Sequence, residues 1–122
     1  MVQFQVELFG HVVYNSSLSY HEMLALEERF KATVQAVLED VDAAFINFEP
    51  LGETLRFQCV FTSTGEDLYH AICDRLVVHV KGALGVRLLF VDKNMEDMYF
   101  YSLSKGRWQE GVITLPPAGH LA

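Results

Sequence analysis

The hydrophobic period of this chain switches between two and about 3.6 residues in a set order, and that order constrains the fold more than any single motif does. Residues 2–8 alternate strictly, with Val2, Phe4, Val6 and Leu8 on one face and Gln3, Gln5 and Glu7 on the other, the pattern of a half-buried strand. Gly10 interrupts the alternation before an extended stretch at residues 11–14, so a bulge or bend is expected there, followed by a turn at Asn15, Ser16 and Ser17.

The period then lengthens. Ser19 with Glu22 three residues on has the form of a capping box: the serine oxygen takes an orphan amide and the glutamate reaches back to the cap. From there Met23, Leu26, Phe30, Val34, Val37, Leu38 and Val41 collect on one stripe, predicting a helix of about six turns that ends near Asp40. Glu27 falls within that stripe. Lys31 lies four residues further on, so its carboxylate is expected to reach outward to a surface pair.

Residues 44–49 and 54–62 read as a hairpin around Pro50, Leu51, Gly52 and Glu53. Ser63 with Glu66, or Thr64 with Asp67, caps a second helix with the stripe Leu68, Tyr69, Ile72, Leu76, Val80 and Ala83, stopped by Gly85. A strand at 86–91 follows. A last hairpin pairs 97–103 with 107–114 around Ser104, Lys105 and Gly106, and Pro116 and Pro117 end it.

The order β, α, β, β, α, β with a hairpin calls for two helices on one face of a mainly antiparallel sheet. The expected class is therefore α+β, a ferredoxin-like βαββαβ unit with a C-terminal β-hairpin extension, in one domain over 1–122 with a short flexible tail at about 116–122. Strand order stays open at this stage.

Composition narrows the function classes. With 51% hydrophobic and 20% charged residues the chain has the material for a packed core. The best apolar run, between Gly82 and Val91, is broken by Arg87, and the first basic residue is Arg29, so neither a membrane span nor a signal peptide is read and a cytoplasmic setting is expected. A net charge of −7 without a Lys/Arg cluster sets nucleic acid aside as a partner. Cys59 and Cys73 lack metal or redox spacing and are expected as two buried thiols.

The five histidines, His11, His21, His70, His79 and His120, fall in separate elements without HxxxH or HExxH spacing, and His70 reads as a surface partner of Asp74. Residues 92–97 offer oxygen donors but lack the glycine and the closing glutamate of a calcium loop. No catalytic, cofactor or metal residue is assigned on these grounds, and whether the chain is an enzyme stays open.

The face of the sheet turned from the helices is the candidate interface or ligand face, carrying Gln3, Gln5, Glu49, Arg56, Gln58, Arg87, Tyr99 and Tyr101, with Phe9, Phe45, Leu89 and Val91 nearby. If Leu103 opposes Arg107, Trp108 joins Phe100 and Met98 in the core, which leaves Tyr99 and Tyr101 outside and weakens a base-stacking reading. The leading expectation is a non-catalytic module that self-associates as a homodimer through this face or the last hairpin. Two alternatives stand beside it. One is an acidic adaptor or inhibitor that docks the first helix on a basic protein. The other is a small-ligand-binding protein or enzyme using a cleft near the sheet face, with Arg56, Arg87, Glu49 and Tyr101 as polar contacts.

Overall fold

A computed structural model describes residues 3–93 and 97–114. The expected Val2 of the first strand, the middle of the 92–97 loop, His120 and the tail at 116–122 lie outside these residues.

Strand β1 (Val6–Tyr14), helix α1 (Tyr20–Asp40), strands β2 (Ala44–Pro50) and β3 (Thr54–Phe61), helix α2 (Glu66–Val77) and strands β4 (Leu84–Asp92), β5 (Asp97–Ser104) and β6 (Arg107–Thr114) follow one another. They form one six-stranded sheet in the order β2-β3-β1-β4-β5-β6, in which every pair is antiparallel. The first four strands have the ferredoxin-like order, and the last hairpin widens the sheet beyond β4. No described helix is long and apolar enough to cross a membrane.

The core lies between the sheet and the two helices. Val6, Leu8, Val12 and Tyr14 of β1 join Leu55, Phe57, Cys59 and Phe61 of β3 and Leu84, Val86, Leu88 and Phe90 of β4. Onto them α1 brings Met23, Phe30, Val34, Val37 and Leu38, while α2 brings Tyr69, Ile72, Cys73, Leu76 and Val77. Both cysteines are free and buried, and burial pushes each thiol up to about 12.

Local signals hold unevenly. The Ser19 capping box forms in both directions, with Glu22 N donating to Ser19 Oγ at 3.2 Å and Ser19 N to Glu22 Oε1 at 2.9 Å. The Pro50–Glu53 reversal forms too, with Gly52 at φ 82°. Helix α2, by contrast, starts at Gly65 with φ 123° and no side-chain cap, and Thr64 Oγ1 instead pairs with the Tyr69 hydroxyl at 3.0 Å. The helix also ends at Val77, short of Val80 and Ala83, because Val80 is buried from a turn.

Two corrections concern the strands. Gly10 carries no bulge: the ladder runs unbroken from β3 through β1 to β4, and Gly10 faces inward beneath the ring of Phe57. In the last hairpin Ser104 pairs with Arg107 and Leu103 with Trp108, because the turn has two residues, Lys105 and Gly106, both at positive φ (52° and 75°). That is the backbone of a tight I′ hairpin turn. The one-residue difference from the expected pairing puts Trp108 on the face of Leu103 and Tyr101, which β4 turns toward the helices, instead of on the face of Phe100.

Glu27 is also corrected. It does not reach the surface: it is 4% exposed, its Oε1 has no hydrogen-bond partner, and Lys31 pairs with Glu28 at 3.6 Å while lying over the Phe48 ring. The nearby Tyr14 hydroxyl is likewise buried and unpartnered. Its acidity is suppressed first by burial and then by the Glu27 charge.

Candidate functional site

The two faces of the sheet carry different chemistry. On the open face, cross-strand pairing aligns side chains in rows. Arg56 opposes His11, which opposes Arg87, which opposes Ser102, which opposes Gln109. Adjacent α-carbons in such a row are about 4.5–5.5 Å apart, so the two guanidiniums are rooted roughly 10 Å apart with the imidazole between them. Neither arginine forms an ion pair among the described residues, although Glu49 lies directly opposite Arg56 in β2.

The next row in the same direction along β1 is mostly apolar: Gln58, Phe9, Leu89, Phe100 and Gly111. Beyond it a depression of about 530 Å³ is lined by Phe4, Glu7, Phe9, Val60, Val91 and Met98 among others. An irregularity in β2 between Ala44 and Asn47 borders this end of the face. Within it Phe45 takes φ 56°, a left-handed conformation uncommon for an aromatic residue. The result is a ring 76% exposed, resting edge-on against Phe4 at 5.6 Å.

Of the side chains expected here, Glu49, Arg56, Gln58 and Arg87 are on the open face and exposed. Gln5 is half-buried, its backbone tied to Phe61 and Lys93, and Gln3 is exposed ahead of β1. Tyr99 and Tyr101 are not there. Pairing with the inward Leu88 and Phe90 of β4 turns both toward the helices, where Tyr101 is 1% exposed and Tyr99 packs 5.3 Å from the Tyr69 ring. Phe100 takes the outward position expected of them, and His11, the centre of the cationic row, was readable only from the β3-β1-β4 order.

On the helix side, the hairpin is closed by α2 of the same chain. The Trp108 indole Nε1–H donates to Asp74 Oδ1 at 2.8 Å, and His70 Nε2 donates to Glu110 Oε2 at 2.6 Å. The Tyr101 hydroxyl donates to the same Glu110 oxygen at 2.7 Å. These bonds, from His70 first and Tyr101 second, hold the Glu110 carboxyl below the usual carboxylate range. The phenol of Tyr101 is pushed far up, by burial first and by Glu110 next. His70 therefore serves β6 rather than Asp74, and its ring lies between Trp108 at 4.8 Å and Tyr101 at 5.7 Å.

No protein-family model matches the chain, and no curated protein does. Among solved structures it is similar to the adenylyl cyclase CyaB from P. aeruginosa, at 10% identity and a TM-score of 0.47 over 91% of this chain. It is also similar to the dimeric guanylyl cyclase domain of the RhoGC fusion protein from the aquatic fungus Blastocladiella emersonii, at 9% identity and a TM-score of 0.43 over 90% of this chain. The chain spans 66% and 67% of the length of those two proteins. At this level the likeness is one of fold.

The expectation of a non-catalytic self-associating module is corrected. Its structural premises fail: Tyr99 and Tyr101 do not furnish the open face, and the last hairpin is covered by α2 of the same chain. The adaptor reading gains nothing beyond charge, and at the end of α1 Asp40 is engaged by Arg75 at 2.6 Å.

Proposed function

We propose that the open sheet face binds a small organic anion with an apolar body, making the chain a small-ligand-binding protein or an enzyme that works on such a ligand. The supporting observation is the cross-strand row Arg56, His11, Arg87 set beside the apolar row and depression around Phe9.

In a chain of net charge −7, two arginines flanking a histidine make a local field of the opposite sign. Guanidinium groups favour carboxylate, sulfonate or phosphate through paired charge-assisted hydrogen bonds. Successive outward residues of β1 are about 6.6 Å apart, so an anionic head at His11 puts the body of a ligand over Phe9 and toward Glu7. The depression falls within the size range of small-molecule sites. Glu7, in the lining of the depression, suits a donor group on the ligand.

Fluorescence titration with 1-anilinonaphthalene-8-sulfonate, which carries both an anion and fused rings, tests the proposal. Saturable binding weakened roughly tenfold by Arg56→Ala or Arg87→Ala, a loss of about 1.4 kcal/mol each, is expected. Binding unchanged in the double arginine variant removes the proposal. Loss of binding on concentration, as a second copy occupies the face, assigns the face to self-contact instead.

A further inference from the structure

We infer that Glu66, His70 and Glu110 form a binding site for a first-row divalent transition-metal ion at the seam between α2 and β6, on the side of the sheet opposite the proposed ligand face. The ligand atoms of the three side chains lie within 4.8 Å of one another. Two come from α2 one turn apart, Glu66 and His70, and the third from β6, forty residues away in sequence.

Three features distinguish the group from a chance meeting of surface charges. First, two carboxylates come together at one spot, and only Glu110 has side-chain partners, His70 and Tyr101; Glu66 has no hydrogen-bond or ion-pair partner among the described residues. A cation between them gains both carboxylates as ligands. Second, the ligands are held from behind. The Tyr101 hydroxyl, on a side chain otherwise buried in the core, donates to Glu110 Oε2, which fixes the carboxylate. The His70 ring is gripped by Trp108 and Tyr101, and such outer contacts are what orient metal ligands. Third, the donor set is of mixed character. One imidazole nitrogen with two carboxylate oxygens suits ions such as Zn²⁺, Mn²⁺ or Co²⁺ better than Ca²⁺ or Mg²⁺, and three protein ligands leave coordination positions open. On binding, the ion takes the place of the Nε2 proton that His70 donates to Glu110 Oε2, and that proton is released to solvent.

Trp108 is the only tryptophan of the chain and lies 4.8 Å from the His70 ring, so its fluorescence reports directly on this site. Titrating the full chain with Co²⁺ is expected to quench Trp108 saturably at one equivalent, and Zn²⁺ is expected to reverse the quenching by competition. Glu66→Gln, at an exposed position on the first turn of α2, is expected to weaken Co²⁺ at least tenfold without changing the melting temperature of the metal-free chain. His70→Gln is expected to abolish the quenching. Absence of saturable quenching up to millimolar Co²⁺ overturns the inference, as does quenching that Glu66→Gln leaves unchanged, which places the ion at other histidines.

Discussion

The ring of Phe57 in β3 lies over the α-carbon of Gly10 in β1, in the space that a side chain at position 10 would occupy. Gly10 is therefore required by packing rather than by its backbone, whose φ is not in the left-handed region. A methyl group there must displace a buried ring, so Gly10→Ala is expected to cost about 1–3 kcal/mol. Adding Phe57→Leu to Gly10→Ala should recover part of that loss in urea unfolding, whereas Phe57→Leu alone should destabilise. Additive costs for the two changes would mean that the ring is not what excludes the methyl.

Tyr101→Glu separates the structure from the expectation that this residue faces outward. Tyr101 packs against Phe90 and Trp108 and shares Glu110. A carboxylate in its place is buried next to another, and a loss of about 3–5 kcal/mol is expected. Tyr101→Phe keeps the packing and gives up one hydrogen bond, for about 1 kcal/mol. Chemical denaturation of the two variants measures both. Equal, small effects would put Tyr101 at the surface.

Glu27 makes the fold's stability depend on pH. Burial first raises its carboxyl above the ordinary value, the Lys31 charge offsets part of that and Glu28 adds to it. The folded chain thus retains this proton where the unfolded chain has lost it. The contribution to stability is fullest below the ordinary carboxylate value, falls as pH rises to the raised value, and is constant above it. Glu27→Leu removes the unpartnered buried oxygen and should stabilise the chain by about 1–3 kcal/mol at pH 7, with a smaller gain at pH 4. A destabilised Glu27→Leu chain at pH 7 would show that the carboxylate has a compensating partner.

Periodicity carried most of the fold. The two helices, the six strands and the side of the sheet that meets the helices follow from runs such as Met23–Phe30–Val34 and Leu55–Phe57–Cys59. What spacing could not carry was register in the last hairpin. A three-residue and a two-residue turn both suit Ser104, Lys105 and Gly106, and the choice depends on Lys105 accepting a positive φ, which its residue type disfavours. The turn decided which β5 residues share a face with Trp108, while the pairing of β5 with β4 put Tyr99 and Tyr101 inward and Phe100 outward.

The candidate sites were legible to different extents. Arg56 and Arg87 fall on the open face by alternation alone, but their common neighbour His11 needs the order of three strands. The approach of His70 to Glu110 leaves no local signal, since α2 and β6 meet only after the sheet is assembled. The same holds for Trp108 and Asp74, where the i, i+4 spacing of His70 and Asp74 suggested a different partner.

The most direct test of the proposed ligand face is an amide chemical-shift titration of the full chain with 1-naphthyl phosphate at two salt concentrations. Saturable shifts centred on the β1, β3 and β4 amides around Phe9, His11, Arg56 and Arg87, weaker at high salt, are the predicted result. Shifts confined to α2 and β6, or none up to millimolar ligand, would contradict it.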